Sequence, residues 1–220
     1  MWKQASALIS SFAVFVLSGC AAGPNTWVSP EGETIPKSMA VYIEPIVVGN
    51  PSDLRDDLGM DSSGLARWLR PYLASALKSG SGVDSIVWLD RIDTYRDTLN
   101  LGKRRYFFKR PVDSLPHERV LVISYASTDR IKELSSTTFN GIQTGSLSLQ
   151  LYMHYRLLDG SGRRNFAYGR VWERSKFILH MDRTDWDKVA TSVSQQVARN
   201  ISMRSSKSKT AAKKASTSGR

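Results

Sequence analysis

The chain has 220 residues, 41 % hydrophobic and 23 % charged, with one Cys and a formal net charge of +11. That length suits one domain with surplus at its ends, and the balance supports a globular core. A single Cys excludes an intramolecular disulfide and every multi-cysteine metal site, and the three scattered His residues (His117, His154, His180) give no basis for zinc.

The charge is unevenly spread. The tail Arg204–Arg220 carries six Lys/Arg and no acid, and the first twenty residues carry only Lys3. Between Ala21 and Met203, 24 Lys/Arg face 20 Asp/Glu, so the globular part is only mildly basic at +4. The high charge therefore argues for attraction at a tail, not for a nucleic-acid-binding fold.

Met1–Gln4 is a short basic segment, and Ala5 to Leu17 is an apolar run too short to span a membrane, which takes roughly 20 residues. Ser18 and Gly19 are small and precede Cys20. Leu17-Ser18-Gly19-Cys20 resembles a bacterial lipobox, with every part of the signal present. The resemblance implies cleavage before Cys20, a diacylglyceryl thioether on its sulfur and an acylated amino terminus. It implies no other cofactor. By the Gram-negative sorting rule, Ala21 after the cysteine implies the outer membrane, with the domain facing the periplasm. The alternatives are an ordinary secretory signal with a chance cysteine, or a buried apolar helix.

Residues 20–37 hold Gly23, Pro24, Pro30, Gly32 and Pro36 and read as an extended tether, with Trp27 docked on the domain, exposed, or at the lipid interface. A single domain is expected over residues 38–203. Met39–Val48 is its first strand, with an edge or bulge near Pro45. Asp53–Asp61 reads as a loop. Ser62 or Ser63 is expected to cap a helix from Leu65 to Lys78, where Leu65, Leu69, Leu73 and Leu77 recur every four residues. Pro71 predicts a kink or a helix in two pieces, and Gly80 and Gly82 end it.

Val83–Leu89 is a second strand, and Ile92–Leu101 reads as a short helix or turn. Val120–Ala126 is a continuous apolar run, expected to be a central strand buried on both faces. From Gly145 the alternation is strict. Leu147, Leu149, Leu151, Met153 and Tyr155 face one way, with Ser148, Gln150, Tyr152, His154 and Arg156 on the other, which predicts a half-solvated antiparallel strand. Asp159–Gly162 makes a tight turn, and Phe166–Phe177 returns with Tyr168, Arg170, Trp172 and Arg174 on one face. Thr184 is expected to cap a last helix, Asp185 to Met203, and residues 204–220 read as a disordered basic tail.

This order gives an α+β sandwich: a mixed, largely antiparallel sheet with helices on one face. Val41–Val47, Leu65–Leu77, Leu147–Leu151 and Gly169-Arg170-Val171-Trp172 are the pieces that carry a family likeness. Their layout resembles small periplasmic modules of the TolB amino-terminal type, a plan shared by the curli secretion lipoprotein and the lipoprotein activators of penicillin-binding proteins. The chain departs from that plan in having no second clear helix before Val120.

No Gly-x-Ser-x-Gly elbow is present, and Gly102-Lys103 lacks both the upstream Gly and the following hydroxyl residue of a phosphate-binding loop. His180-Met181-Asp182 pairs a base with a carboxylate but sits where a strand passes into a helix cap, a structural position. Asp56 and Asp57, and Asp182 and Asp185, are paired carboxylates with no sign of convergence. The chain is therefore read as non-enzymatic, without metal, the alternative being a periplasmic enzyme whose cleft the sequence does not show. The run Lys103, Arg104, Arg105, Tyr106, Phe107, Phe108, Lys109, Arg110 interleaves cations with aromatics. It suits an anionic ligand or partner. The plainer reading is an amphipathic strand with Tyr106 and Phe108 inward. Arg163, Arg164, Arg170, Arg174 and Lys176 would join it in a basic face if the fold brings them together. Expected partners are the membrane, through the lipid, and an envelope protein or a second copy of the chain. No nucleic acid or small-molecule substrate is implied.

Overall fold

A computed structural model describes residues 25–29, 35–45, 47–48, 55, 58–139, 142–177 and 183–217. The leader with Cys20, the pair Asp56 and Asp57, and His180–Asp182 lie outside the described residues.

The expected α+β arrangement is observed. The main sheet runs β1-β9-β8-β7-β2-β4, with β3 also paired to β7. Its strands are β1 (Thr26–Val28), β2 (Ser38–Ile43), β3 (Val47–Val48), β4 (Ser85–Leu89), β7 (Arg119–Phe139), β8 (Ile142–Asp159) and β9 (Asn165–Phe177). β2 lies parallel to both β4 and β7, and the remaining long pairs are antiparallel. Two helices, α1 (Ser62–Ser81) and α2 (Arg183–Thr217), cover one face. A separate hairpin, β5 (Thr94–Leu101) and β6 (Arg104–Pro111), covers part of the other. Among the described residues no helix is long and apolar enough to cross a membrane.

The Leu stripe of α1 does what its period predicts. Leu65, Leu69, Leu73 and Leu77 are fully buried, and each contributes roughly 1.5–3 kcal/mol by leaving water. Trp186, Val189, Val193, Val197 and Ile201 of α2 join the same core. The cap differs from expectation. Asp61, extended at φ −90°, ψ 175°, accepts from the Gly64 N–H at 2.8 Å, so the carboxylate and not Ser62 or Ser63 starts the helix. Asp61→Ala is expected to cost about 1 kcal/mol, read as a lower urea midpoint at unchanged slope. Gly82 closes the helix in the left-handed region at φ 75°. Of the two forms expected at Pro71, the helix in two pieces is not seen: one helix continues through it, the lost backbone bond being outweighed by the docked stripe on either side.

Four further differences concern the strands and the ends. Thr26–Val28, assigned to the tether, pairs antiparallel with Ala167–Gly169. This is possible because residue 169 is Gly: a Cβ there would stand 2.6 Å from both Asn25 O and the Tyr155 hydroxyl. Trp27 docks on the domain, stacked on Tyr168 at 4.8 Å and 18°. Ile92–Leu101, expected as a short helix or turn, contains β5. Pro45 falls in a break between β2 and β3, and β2 itself is a central strand. At the other end α2 runs to Thr217, through residues expected to be disordered, because no Gly or Pro interrupts an Ala- and Lys-rich segment.

β7 extends well past Ala126. A bulge between Ile123 and Tyr125 inserts Ser124 opposite the Tyr155/His154 step of β8. It also exchanges the faces. Leu121 and Ile123 face the helices before it, and Ala126 faces them after it, while Val120 and Val122 pack on the hairpin side.

Candidate functional site

The predicted half-solvated face of β8 is only partly solvated. Leu149, Leu151, Met153 and Tyr155 are buried against the helices, as expected. On the other face His154 and Arg156 are also buried, because the β5–β6 hairpin lies over that part of it, and Ser148, beside Arg174, is buried as well. Where the hairpin stops, a groove of about 290 Å³ opens, lined by Gln150 and Tyr152 of β8 and Arg170, Trp172 and Arg174 of β9.

The register sets the geometry. Gln150 stands opposite Arg174, Tyr152 opposite Trp172 and His154 opposite Arg170. Arg170 is the corner of the groove: its Nε donates to Asn25 Oδ1 at 2.9 Å, and its guanidinium lies 4.6 Å above the Tyr106 ring on the hairpin. Arg174 Nε donates to the buried Ser148 Oγ at 2.8 Å. Trp172 is 48 % exposed, and Phe107, 57 % exposed with Arg96 over its ring at 4.8 Å, projects from the neighbouring hairpin.

His154 is buried beside the groove, next to Tyr152 along β8's face. Its Nδ1 lies 2.8 Å from Phe107 O and therefore carries the proton, leaving Nε2 to accept from the Tyr152 hydroxyl. Burial pushes the imidazole below its ordinary pKa range and the Arg170 charge adds to this, against the bond to Phe107 O. The unfolded chain binds a proton near pH 6.5 that the folded chain refuses until lower pH. The His154 contribution to stability is full above about pH 6.5 and is lost as pH falls toward the folded value. Urea midpoints at about pH 7.5 and 5.5 should show this loss, and His154→Gln should flatten the profile across that window.

The basic run 103–110 is divided by the fold. Tyr106 is half-buried and Phe108 buried, as an amphipathic strand requires. Lys109 pairs with Glu44 at 3.3 Å. Arg110 donates to the Tyr95 hydroxyl at 3.1 Å and to Arg163 O at 3.4 Å, and sits 3.8 Å from Asp97. Both are engaged inside the domain. Lys103, Arg104 and Arg105 stand exposed at the hairpin tip. The fold does not bring the described cations into one basic face. Arg163 meets the hairpin base at Arg110, Arg164 lies over Phe166 at 5.1 Å, and Arg170 and Arg174 share the groove, while the Lys176 side chain lies outside the described ones. Among the described residues no group of three His, Cys, Asp or Glu side chains is placed to hold a metal.

Sequence reasoning missed the buried pair beneath the hairpin. Arg156, fully buried on β8, ion-pairs with Asp97 of β5 at 2.8 Å and donates from Nε to Asn165 Oδ1 at 2.6 Å. Burial lowers the Arg156 pKa, and Asp97 opposes that shift. The available signal was an Arg at an alternating strand position, which reads equally well as solvent-facing.

No protein-family model and no curated protein matches the chain. Solved structures do resemble it. The PelC dodecamer from Paraburkholderia phytofirmans is 13 % identical, with a TM-score of 0.39 over 80 % of this chain and 97 % of that one. A minor lipoprotein from Acinetobacter baumannii is 11 % identical, with a TM-score of 0.40 over 77 % and 93 % of the two chains. An uncharacterized lipoprotein B from Nitrosomonas europaea is 13 % identical, with a TM-score of 0.38 over 80 % and 94 %.

Proposed function

We propose that the chain is a lipid-anchored, non-enzymatic protein of the outer membrane, whose domain serves as an assembly or regulatory component of a cell-envelope complex. Leu17-Ser18-Gly19-Cys20, behind the apolar run and shortly before β1, is the observation that carries this reading. Several acyl chains on Cys20, at roughly 0.8 kcal/mol per buried CH₂, make a firm anchor. The compact domain then offers its surfaces to its neighbours.

Metabolic labelling with palmitate tests the anchor. The wild-type chain is expected to take up label and to be processed, and Cys20→Ser to do neither. Equal label, or the same mature size for both, would overturn the reading. Crosslinking in intact cells tests the partner: recovery of an envelope protein with wild type, and its loss with Cys20→Ser, is expected.

A second reading has one observation in its favour. Lys103, Arg104 and Arg105 are exposed together at the hairpin tip, as contact with anionic lipid or glycan requires. Lys109 and Arg110 do not support it, since both are spent on internal partners.

A further inference from the structure

The β5–β6 hairpin crosses the sheet from its centre to its β1 edge. At the hairpin's open end, Thr94 and Lys109 meet Glu44, just past β2. Midway, Asp97 pairs with Arg156 and Phe108 lies against His154, both on β8. Nearer the turn, Asn100 O accepts from the Tyr168 hydroxyl, and Tyr106 lies beneath Arg170, both on β9. Leu101 then packs with Tyr168, and Trp27 of β1 joins that cluster. The turn at Gly102 and Lys103 follows, so the tip stands at the edge where β1 begins. That edge is where the proposed anchor leaves the domain. Asn25 accepts from both Nε and the backbone N–H of Arg170 at 2.9 Å, and the same guanidinium lies 4.6 Å over the Tyr106 ring. Cys20 comes five residues before Asn25, and Arg105 is the neighbour of Tyr106. Residues 94–111 carry six Lys/Arg and one acid, Asp97, which is turned inward to Arg156 and Arg110. Lys103, Arg104 and Arg105 are exposed, and Phe107, on the face of β6 that carries Arg105, is 57 % exposed.

We propose that the hairpin tip docks on the anionic phospholipid surface that holds the Cys20 anchor. Lys103, Arg104 and Arg105 meet headgroup phosphates, and Phe107 sits at headgroup level, where aromatic rings are favoured. This commits the second reading above to one partner, and it rests on the proposed anchor for its location. Each cation near such a surface multiplies the docked-to-undocked ratio roughly fivefold, so the three together supply about a hundredfold. A carboxylated glycan is held by walls around its rings, and the end of a two-stranded hairpin supplies none. A charged plane needs no walls. The acyl chains fix only the distance of the domain from the bilayer, and the tip contact fixes which edge faces it.

The test uses the full chain reconstituted into phosphatidylcholine vesicles, with or without about one-third phosphatidylglycerol. A fluorescent dye is placed on Asn100→Cys, beside the tip, or on Ser85→Cys, on the opposite edge strand β4, and quenched by lipid bearing a headgroup nitroxide. With Cys20 acylated, the introduced thiol is the one that takes the dye. Quenching at position 100 is expected to rise at least about threefold when phosphatidylglycerol is present, and to stay flat at position 85. The rise should vanish in Lys103→Gln/Arg104→Gln/Arg105→Gln. Salt at about 0.5 M should abolish it too, since screening then acts within about 4 Å. Arg104→Lys/Arg105→Lys keeps the charge and should keep the rise. No rise, an equal rise at position 85, a rise that survives the triple variant, or its loss on adding polygalacturonate at equal charge would each overturn the proposal. Palmitate labelling of the same preparation separates the two readings. Labelled protein without the rise sinks the tip contact alone, and unlabelled protein that still shows it sinks the anchor alone.

Discussion

Trp186→Ala is expected to lower the unfolding free energy by about 3–5 kcal/mol, the cost of deleting a large aromatic from a packed core. Trp186 is 2 % exposed in the first turns of α2, edge-on to Trp68 of α1 at 6.2 Å and 83°. Next to it, Asp187 accepts a hydrogen bond from the Tyr72 hydroxyl, so the indole sits where both helices and the sheet are fastened together. The cavity left by Ala cannot close without moving α1, whose Leu stripe is committed to the sheet. For a domain of this size each kcal/mol lowers the melting temperature by about 2–4 °C, so a drop of ~6–20 °C is expected by circular dichroism. Trp172→Ala is the matched control. The same residue type, half exposed on β9, should change stability by less than about 0.5 kcal/mol. Similar losses in both variants would mean that the core is not where the structure puts it.

The second large effect concerns the pair that fastens the hairpin. Asp97→Ala removes the carboxylate facing Arg156 and leaves a fully buried guanidinium uncompensated. Breaking such a pair costs about 3–5 kcal/mol. Asp97 keeps 27 % side-chain exposure, and Arg110 loses the same anion at 3.8 Å, so water relieves part of the cost and the lower end of the range is expected. Arg156→Met fills similar volume without the charge and should be far milder. The double variant should recover most of what Asp97→Ala loses, because the penalty lies in the stranded cation and not in the missing attraction. Urea midpoints of the four proteins check this. Hydrogen exchange should also show faster exchange over residues 94–111 in Asp97→Ala, since the pair joins β5 to β8. Additive single and double effects would refute the coupling.

The helix face of the domain was legible in the sequence for a simple reason. Leu65, Leu69, Leu73 and Leu77 repeat at the helical period, and Leu149, Leu151 and Met153 repeat at the strand period. Each pattern has one physical solution, and both groups meet in a single core. The opposite face was not legible. β5 reads Thr-Tyr-Arg-Asp-Thr-Leu-Asn-Leu, whose apolar residues do not alternate cleanly. Its strand state comes from pairing with β6 and from Leu101, which packs with Phe108 and Tyr168. That is a tertiary decision, and no local propensity carries it. His154 and Arg156 consequently read as solvent-facing until the hairpin is laid across them. The bulge at Ser124 was hidden for a related cause, because an unbroken apolar run contains no sign of where its faces exchange. The groove itself was half visible. Arg170, Trp172 and Arg174 could be placed on one face by counting, but the charges expected beside them, Lys109 and Arg110, are drawn inward by Glu44, Tyr95 and Asp97.

The capture of Thr26–Val28 by the sheet edge sets the length of the leash. Seventeen free residues would let the domain range some 60 Å from a bilayer, but only five steps separate Cys20 from Asn25, a reach of at most roughly 18 Å. Once Cys20 is acylated as proposed, the domain rides against the membrane with its β1–β9 edge toward the lipid. Asn25 is where the leash meets the fold, and it holds Arg170 by both its side chain and its carbonyl. On that proposal the groove would stay within a short reach of the bilayer, and anything it engaged would be met at the membrane surface.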